Sequence, residues 1–281
     1  MKNLVIKKGI YKYQLQIDKI KYCLGFNFVE KYKFKSMLFE YFYNSKLSEY
    51  SKENIGEVCL EINENKIKNR DVSFYYVDHN YSIDIDLKLN SKSLISAYLE
   101  MLLLDEQYID TINSINILFE AFASELDDNL ITSKFITYTP KQFLKILSPM
   151  FCYEEEQANE HDLSYNELII FQLKMINYIA KKQQKIVVCL VEIPELTIEI
   201  NEILKNMNNC IVIVLLCKYN LELNLKDIIL FDNIVLDLND EEQLYNYFID
   251  KGIYTVQEAK DKMKKIIDNG ITKIDMSILK D

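Results

Sequence analysis

Glycine, proline, tryptophan and arginine are scarce in this chain. It has 281 residues with five glycines, three prolines and no tryptophan, and Arg70 is the single arginine among 33 basic residues. Lys, Asn, Ile and Tyr are used heavily instead, a coding bias of AT-rich sequence and not a chemical signature. Six cysteines stand at 23, 59, 152, 189, 210 and 217, none at C-x-x-C spacing, which argues against a zinc site. Three of them lie in or beside apolar runs and read as small core residues of a reduced, cytosolic protein. The opening "MKNLVIKKGIYKY" lacks the long apolar stretch of a signal peptide. The longest apolar run, "CIVIVLLC", is far too short to span a bilayer, so no membrane association is expected. Two histidines, His79 and His161, stand far apart in polar contexts without a nucleophile at recognisable spacing, and read as surface residues.

What is present is a globular chain. Apolar residues make up 49%, enough for one large core or two small ones. The net charge of −10 excludes a generally basic nucleic-acid binder. Binding to nucleic acid then needs lysines gathered on one surface.

The pattern along the chain predicts an α/β head interrupted by helices. Residues 1–90 read mostly as strands, with a hairpin around Lys7-Lys8-Gly9 and later strands "EVCLEI", "DVSFYYV" and the alternating "SIDIDLKL". Residues 91–183 read as a helical insert, or leg. Ser91 is its first candidate cap. Tyr108, Ile112, Ile115, Phe119, Phe122 and Leu126 form a long stripe expected to pack helix on helix. Thr139-Pro140 and Ser164-x-x-Glu167 start two more helices. "KIVVCLVEI" and "CIVIVLLCKY" read as parallel strands buried on both faces, joined by a crossover helix, with "NIVLDL" as a third strand. The head therefore comprises 1–90 and 184–240. Residues 241–281 form a helical extension, each of its two helices closed by glycine.

Four short stretches could carry chemistry. "VEKYKFKS", 29–36, lies between a strand-like and a helix-like run, the setting of a phosphate loop G-x-x-x-x-G-K-[ST]. Lys35 and Ser36 match the end of that motif, but Val29 and Phe34 replace its glycines and obstruct the backbone approach to phosphate. Glu192 ends a strand where such a protein carries its magnesium-site acid. An active ATPase, a decayed relative and a coincidence all remain open, with Lys92-Ser93 showing how readily the dipeptide arises. "NKIKNRD", 65–71, places Lys66, Lys68 and Arg70 at alternate positions, roughly 6–7 Å apart on one face of a strand, near the spacing of successive phosphates. A solvated edge protected by lysines fits the same residues. "SELDDN", 124–129, sets Glu125, Asp127 and Asp128 at a helix end, either a solvated terminus or a site for a hard cation. "YEEEQANEHD", 153–162, reads as a solvated linker.

The order of these elements over roughly residues 20–238 resembles the type II-A CRISPR adaptation proteins of the Csn-two family. The match runs through "VEKYKFKS", "NKIKNRD", the helical stretch "LKLNSKSLISAYLEMLLLDEQYIDTINSINILFEAFASELD" and "KKQQKIVVCLVEI…CIVIVLLCKYNLELN". The resemblance implies a P-loop-like α/β head with a degenerate phosphate loop and no ATP hydrolysis, so not an enzyme, and a helical leg. It implies a homotetramer ring whose lysine-lined hole holds double-stranded DNA ends, steadied by calcium near the head–leg junction. Its partners would be the CRISPR integrase and the RNA-guided effector nuclease, acting in spacer acquisition. Carried over by position, Lys66, Lys68 and Arg70 face DNA, with Lys31, Lys33 and Lys35 next, and Glu125, Asp127 and Asp128 are the calcium ligands. The tail resembles the longer variants. A nucleotide-dependent enzyme using Lys35, Ser36 and Glu192, and an acidic protein–protein adaptor, are the rival readings.

Overall fold

The computed structural model describes residues 2–43, 56–90, 92–126, 132–219, 223–232, 234–249 and 255–268. In chain order it begins with β1 (Lys2–Lys8), β2 (Tyr11–Ile17), β3 (Ile20–Leu24) and α1 (Phe28–Tyr43), then β4 (Cys59–Ile62), β5 (Asn65–Lys66) and β6 (Val72–Val77). Helices α2 (Ile83–Asp86), α3 (Leu94–Leu102), α4 (Glu106–Glu125) and α5 (Pro140–Leu144) follow, then the small hairpin β7 (Cys152–Tyr153) and β8 (Glu156–Gln157), and α6 (Tyr165–Lys182). The chain then forms β9 (Ile186–Leu196), α7 (Ile198–Asn206), β10 (Cys210–Tyr219), β11 (Ile228–Phe231), β12 (Val235–Asp237), α8 (Glu241–Ile249) and α9 (Val256–Asp268). Two compact units result: 1–79 with 185–281, and 80–184.

The first unit is α/β, as the apolar β-branched runs predict. Its larger sheet has the order β12-β11-β3-β10-β9-β6. Strands β11, β3, β10, β9 and β6 are all parallel, and β12 turns back antiparallel on β11. The crossover β9–α7–β10 is the expected one. The strand expected at 233–238 forms over Val235–Asp237, as the antiparallel return arm of a hairpin whose first arm is β11. The hydrophobic run "DIILF" that makes β11 is short, and only its parallel pairing with β3 distinguishes it.

A smaller antiparallel sheet, β2-β1-β4-β5, faces the larger one across α1. Phe34, Met37, Leu38 and Phe42 of α1 join one core with Leu4, Ile6, Leu15 and Leu60 from the small sheet and Val188, Leu190, Ile213 and Phe231 from the large one. Tyr13, Phe34 and Phe231 form a three-ring cluster with centroids 5.3–6.1 Å apart. The turn from β3 into α1 is tight. Gly25 has φ +98°, and a Cβ there would meet the Phe231 carbonyl oxygen at 2.2 Å. Only glycine satisfies both constraints. Asn27 then caps the helix: its Oδ1 accepts from the Glu30 N–H at 3.0 Å, and its Nδ2 donates to the Asp232 carbonyl at 2.7 Å.

The second unit is helical, and it includes 80–90. The alternation in "SIDIDLKL" predicts a strand, but residues 83–86 form α2. Ser82 caps it, and the Glu160 carboxylate accepts from the Ile83 N–H at 3.2 Å. The Asp86 side chain is buried and accepts from the Leu94 and Ile95 N–H groups at 2.9 and 2.8 Å. Capping hydrogen bonds outweigh the period-two pattern over so short a stretch. Ser93 caps α3, and the expected cap Ser91 lies outside the described residues. The caps expected at Thr139 and Ser164 both form as reciprocal capping boxes. The stretch expected as a linker, 153–162, carries a tight hairpin with Glu154 and Glu155 at positive φ.

Candidate functional site: a cleft at the carboxyl ends of the parallel strands

The expected phosphate loop is a helix. Residues 29–36 all lie within α1; the Glu30 N–H is held by the Asn27 side chain and the Lys31 N–H by the Asn27 carbonyl, so from Glu30 onward these N–H groups serve the helix instead of pointing at a ligand. Lys35 and Ser36 sit two turns beyond the helix start. Only residues 25–27 link strand and helix. Counted from Gly25, the same spacing puts Lys31 in the lysine position but Glu30 at the second glycine and Tyr32 at the hydroxyl residue, so this frame does not complete the motif either.

The structure brings Lys35 and Glu192 together. Lys35 Nζ donates to Glu192 Oε2 at 2.7 Å and lies 5.6 Å from the centre of the Tyr76 ring. The Tyr76 hydroxyl also donates to Glu192 Oε2. Burial alone raises the Glu192 pKa, but the Lys35 and Tyr76 hydrogen bonds outweigh it, and the carboxyl is held below its ordinary range. Burial and the Glu192 hydrogen bond push the Tyr76 phenol far above its usual value. Lys31 is buried. Its Nζ donates to the Leu216 carbonyl at 2.9 Å, and burial lowers its pKa. Lys33 pairs with Glu30 at 2.7 Å and lies over the Tyr11 ring. So of the three lysines expected as a reserve DNA surface, Lys31 is withdrawn into the interior, while Lys33 and Lys35 have acidic partners.

Lys31 and Lys35 line one side of a cleft of about 340 Å³, together with Phe28 and Tyr32. Glu192, Ile193, Leu216 and Cys217 line the other. Its place follows from the topology. The cleft lies at the carboxyl-terminal parts of the adjacent parallel strands β9 and β10, beside the first turns of α1. The region outside the strand carboxyl ends is where open α/β sheets bind ligands.

Lys66, Lys68 and Arg70 are all exposed. Their expected sharing of one strand face does not hold, because strand β5 covers only Asn65–Lys66 and residues 69–71 turn into a 3-10 helix. The hairpin turn at Asn63-Glu64, both at positive φ, and the short ladder to β4 end the alternation. Arg70 pairs loosely with Asp71 at 3.7 Å. Of the expected calcium ligands, Glu125 is exposed at the end of α4, while Asp127 and Asp128 lie outside the described residues. Among the described residues no cluster of three or more His, Cys, Asp or Glu side chains could hold a metal ion.

One polar site went unread in the sequence. Lys21, in the middle of apolar β3, is fully buried and pairs with fully buried Asp237 at 2.5 Å. Its Nζ also donates to the carbonyls of Lys226 and Gln16 at 2.7 and 3.0 Å, and Asp237 accepts from the Gln16 and Asn239 N–H groups. Burial lowers the lysine pKa and raises that of the aspartate. Every donor finds an acceptor, and the network ties β2, β3 and β12 together. A lysine inside "IKYCL" was its only sequence trace.

No helix among the described residues is long and apolar enough to cross a membrane. No family model matches the chain, and no curated protein matches it. Among solved structures, its fold is similar to that of Stu0660 of Streptococcus thermophilus, at 16% identity and a TM-score of 0.61, over 89% of this chain and 80% of that one.

Proposed function

We propose that the chain is a non-catalytic double-stranded DNA-binding protein of CRISPR spacer acquisition, assembled as a homotetramer ring. The carrying observation is the fold. The element order that resembles the Csn-two family occurs in a chain whose fold is shared with Stu0660, and this supports a Csn-two-like architecture and a CRISPR context. The exposed cations Lys66, Lys68 and Arg70 are the DNA surface. A chain at −10 repels DNA on average, so a ring that repeats these three in every subunit supplies the local concentration of charge. Self-association is supported by α4, which leaves Ile117, Leu118 and Phe122 half or more exposed on its surface. Calcium bound by Glu125, Asp127 and Asp128 steadies the assembly. The integrase and the RNA-guided effector nuclease are its partners in the cell.

The test is a mobility assay with linear and covalently closed duplexes, with and without calcium. Linear duplex binds and circles bind poorly, because a closed ring loads only at an end. Affinity falls by roughly 0.9 log units per log unit of salt for each phosphate neutralised. The change of Lys66, Lys68 and Arg70 to alanine weakens all sequences alike and flattens that slope, since phosphate contacts carry no sequence information. Equal binding of circles and lines removes the threaded ring. An unchanged salt slope moves the DNA surface elsewhere.

The 2.7 Å contact between Lys35 and Glu192 keeps one rival in view, a nucleotide-dependent enzyme. It requires magnesium-ATP turnover that disappears in Lys35→Ala. We expect no turnover, because the helix occupies the place where a phosphate-binding backbone would be.

A further inference from the structure

The cleft on α1 holds a buried cation that its surroundings leave incompletely compensated. Lys31 is 6% exposed, and its ammonium, with three N–H donors, makes one hydrogen bond among the described residues, to the Leu216 carbonyl. Among the described residues no carboxylate pairs with it. Glu192 is the one acid lining the cleft, and both Lys35 and Tyr76 already hold it. Two lysines against one glutamate leave a single positive charge. A buried ion without its counter-charge is costly, so the site favours an anion.

The walls select what accompanies that anion. Phe28 and Tyr32 line the cleft yet are 58% and 66% exposed, and the Phe28 ring centre lies 5.9 Å from Lys31 Nζ. Ile193 and Leu215 close the opposite side. A volume of about 340 Å³ lies within the roughly 300–1,000 Å³ of small-molecule pockets.

We propose that this cleft binds a small aromatic carboxylate, with its carboxylate on the Lys31 ammonium and its ring between Phe28 and Tyr32. The single excess charge matches one carboxylate. A phosphate monoester, at about −1.5 to −2 near neutral pH, would set surplus negative charge beside Glu192. The site rests on the proposed function only in leaving Lys66, Lys68 and Arg70 to DNA; it uses none of those three, so its failure leaves the DNA reading intact.

Calorimetric titration of the full chain with phenylacetate, phenylacetamide and inorganic phosphate tests this. Phenylacetate binds, and the neutral amide binds about tenfold more weakly or worse, since its carbonyl still accepts from the ammonium but no longer neutralises it. Lys31→Met keeps the apolar stem and removes the buried charge, so it folds and binds acid and amide alike. Phe28→Ala, at an exposed position, weakens both ligands severalfold while the preference for the acid survives. The proposal is overturned if acid and amide bind equally to the unaltered protein. It is also overturned if neither binds by about 10 mM, if phosphate binds more tightly than phenylacetate, or if Lys31→Met retains the preference.

Discussion

The two long apolar patterns of this chain, the β9–β10 strand pair and helix α4, have opposite fates. Val187 to Val191 of β9 and Ile211 to Val214 of β10 are buried to within 1% of completely. In α4 only Ile112 and Ala123 are buried, while Ile117, Leu118 and Phe122 are 50–65% exposed. Continuous hydrophobicity forces a strand to the centre of a sheet, because both faces must be covered. A helical stripe states only that one side wants a cover. It does not say whether that cover comes from the same chain.

That contrast can be broken most sharply at Phe231. It is fully buried between Tyr13 and Phe34, and Phe231→Ala costs about 3–5 kcal/mol of unfolding free energy in a denaturant titration. The equivalent change in α4, Phe122→Ala, falls well below that. Equal losses at the two sites would mean that the α4 face is covered in solution.

Next comes the buried ion pair. Asp237→Ala strands the Lys21 ammonium and costs on the order of 3 kcal/mol, whereas Lys21→Met with Asp237→Leu recovers much of the loss. Thermal unfolding of the two variants beside the unaltered protein measures this. No recovery in the double variant would show that the hydrogen bonds tying β2 to β12, and not the charge pair alone, hold this corner together.

A smaller effect separates Lys31 from the surface lysines. Burial lowers its folded pKa below the ordinary 10.5, so between those two values the unfolded chain binds more protons than the folded one. Stability therefore gains a contribution as pH rises through that window. Lys31→Met removes this contribution, and the stability difference between the two proteins, followed from pH 7 to 10.5, shows it. A difference independent of pH would mean that the ammonium is solvated.

The smallest effect on folding is on α4 itself. Leu118→Glu changes unfolding free energy by within about 0.5 kcal/mol, as exposed substitutions do. It shifts the oligomeric state seen by light scattering toward monomer if the exposed face mediates assembly. An unchanged mass assigns assembly to another surface.

The α/β class, the β9–α7–β10 crossover and the caps at Thr139 and Ser164 were legible in the sequence. Each rests on local signals strong enough to stand alone: continuous β-branched runs, a threonine directly before proline, or a serine followed three positions later by Glu. The α2 segment was misread because four residues cannot distinguish a strand's alternation from a capped turn. The site was only partly legible. Glu192 and Lys35, 157 positions apart, were named together as parts of one nucleotide site, but nothing in their spacing announced that they would pair with each other. Lys31 stood among the reserve DNA lysines, because its burial depends on where β10 ends.

By itself, then, the sequence determined which segments must be interior strands and where several helices begin, because hydrophobic period and capping act over a few residues. Only the tertiary structure decided that α1 starts at Phe28 and leaves no phosphate loop, since that follows from the close approach of Gly25 to Phe231 across 206 positions. It also decided that Lys21 meets Asp237 and that Lys31 lies against Leu216. Charge compensation in a low-dielectric interior depends on distance in space, and distance along the chain does not encode it.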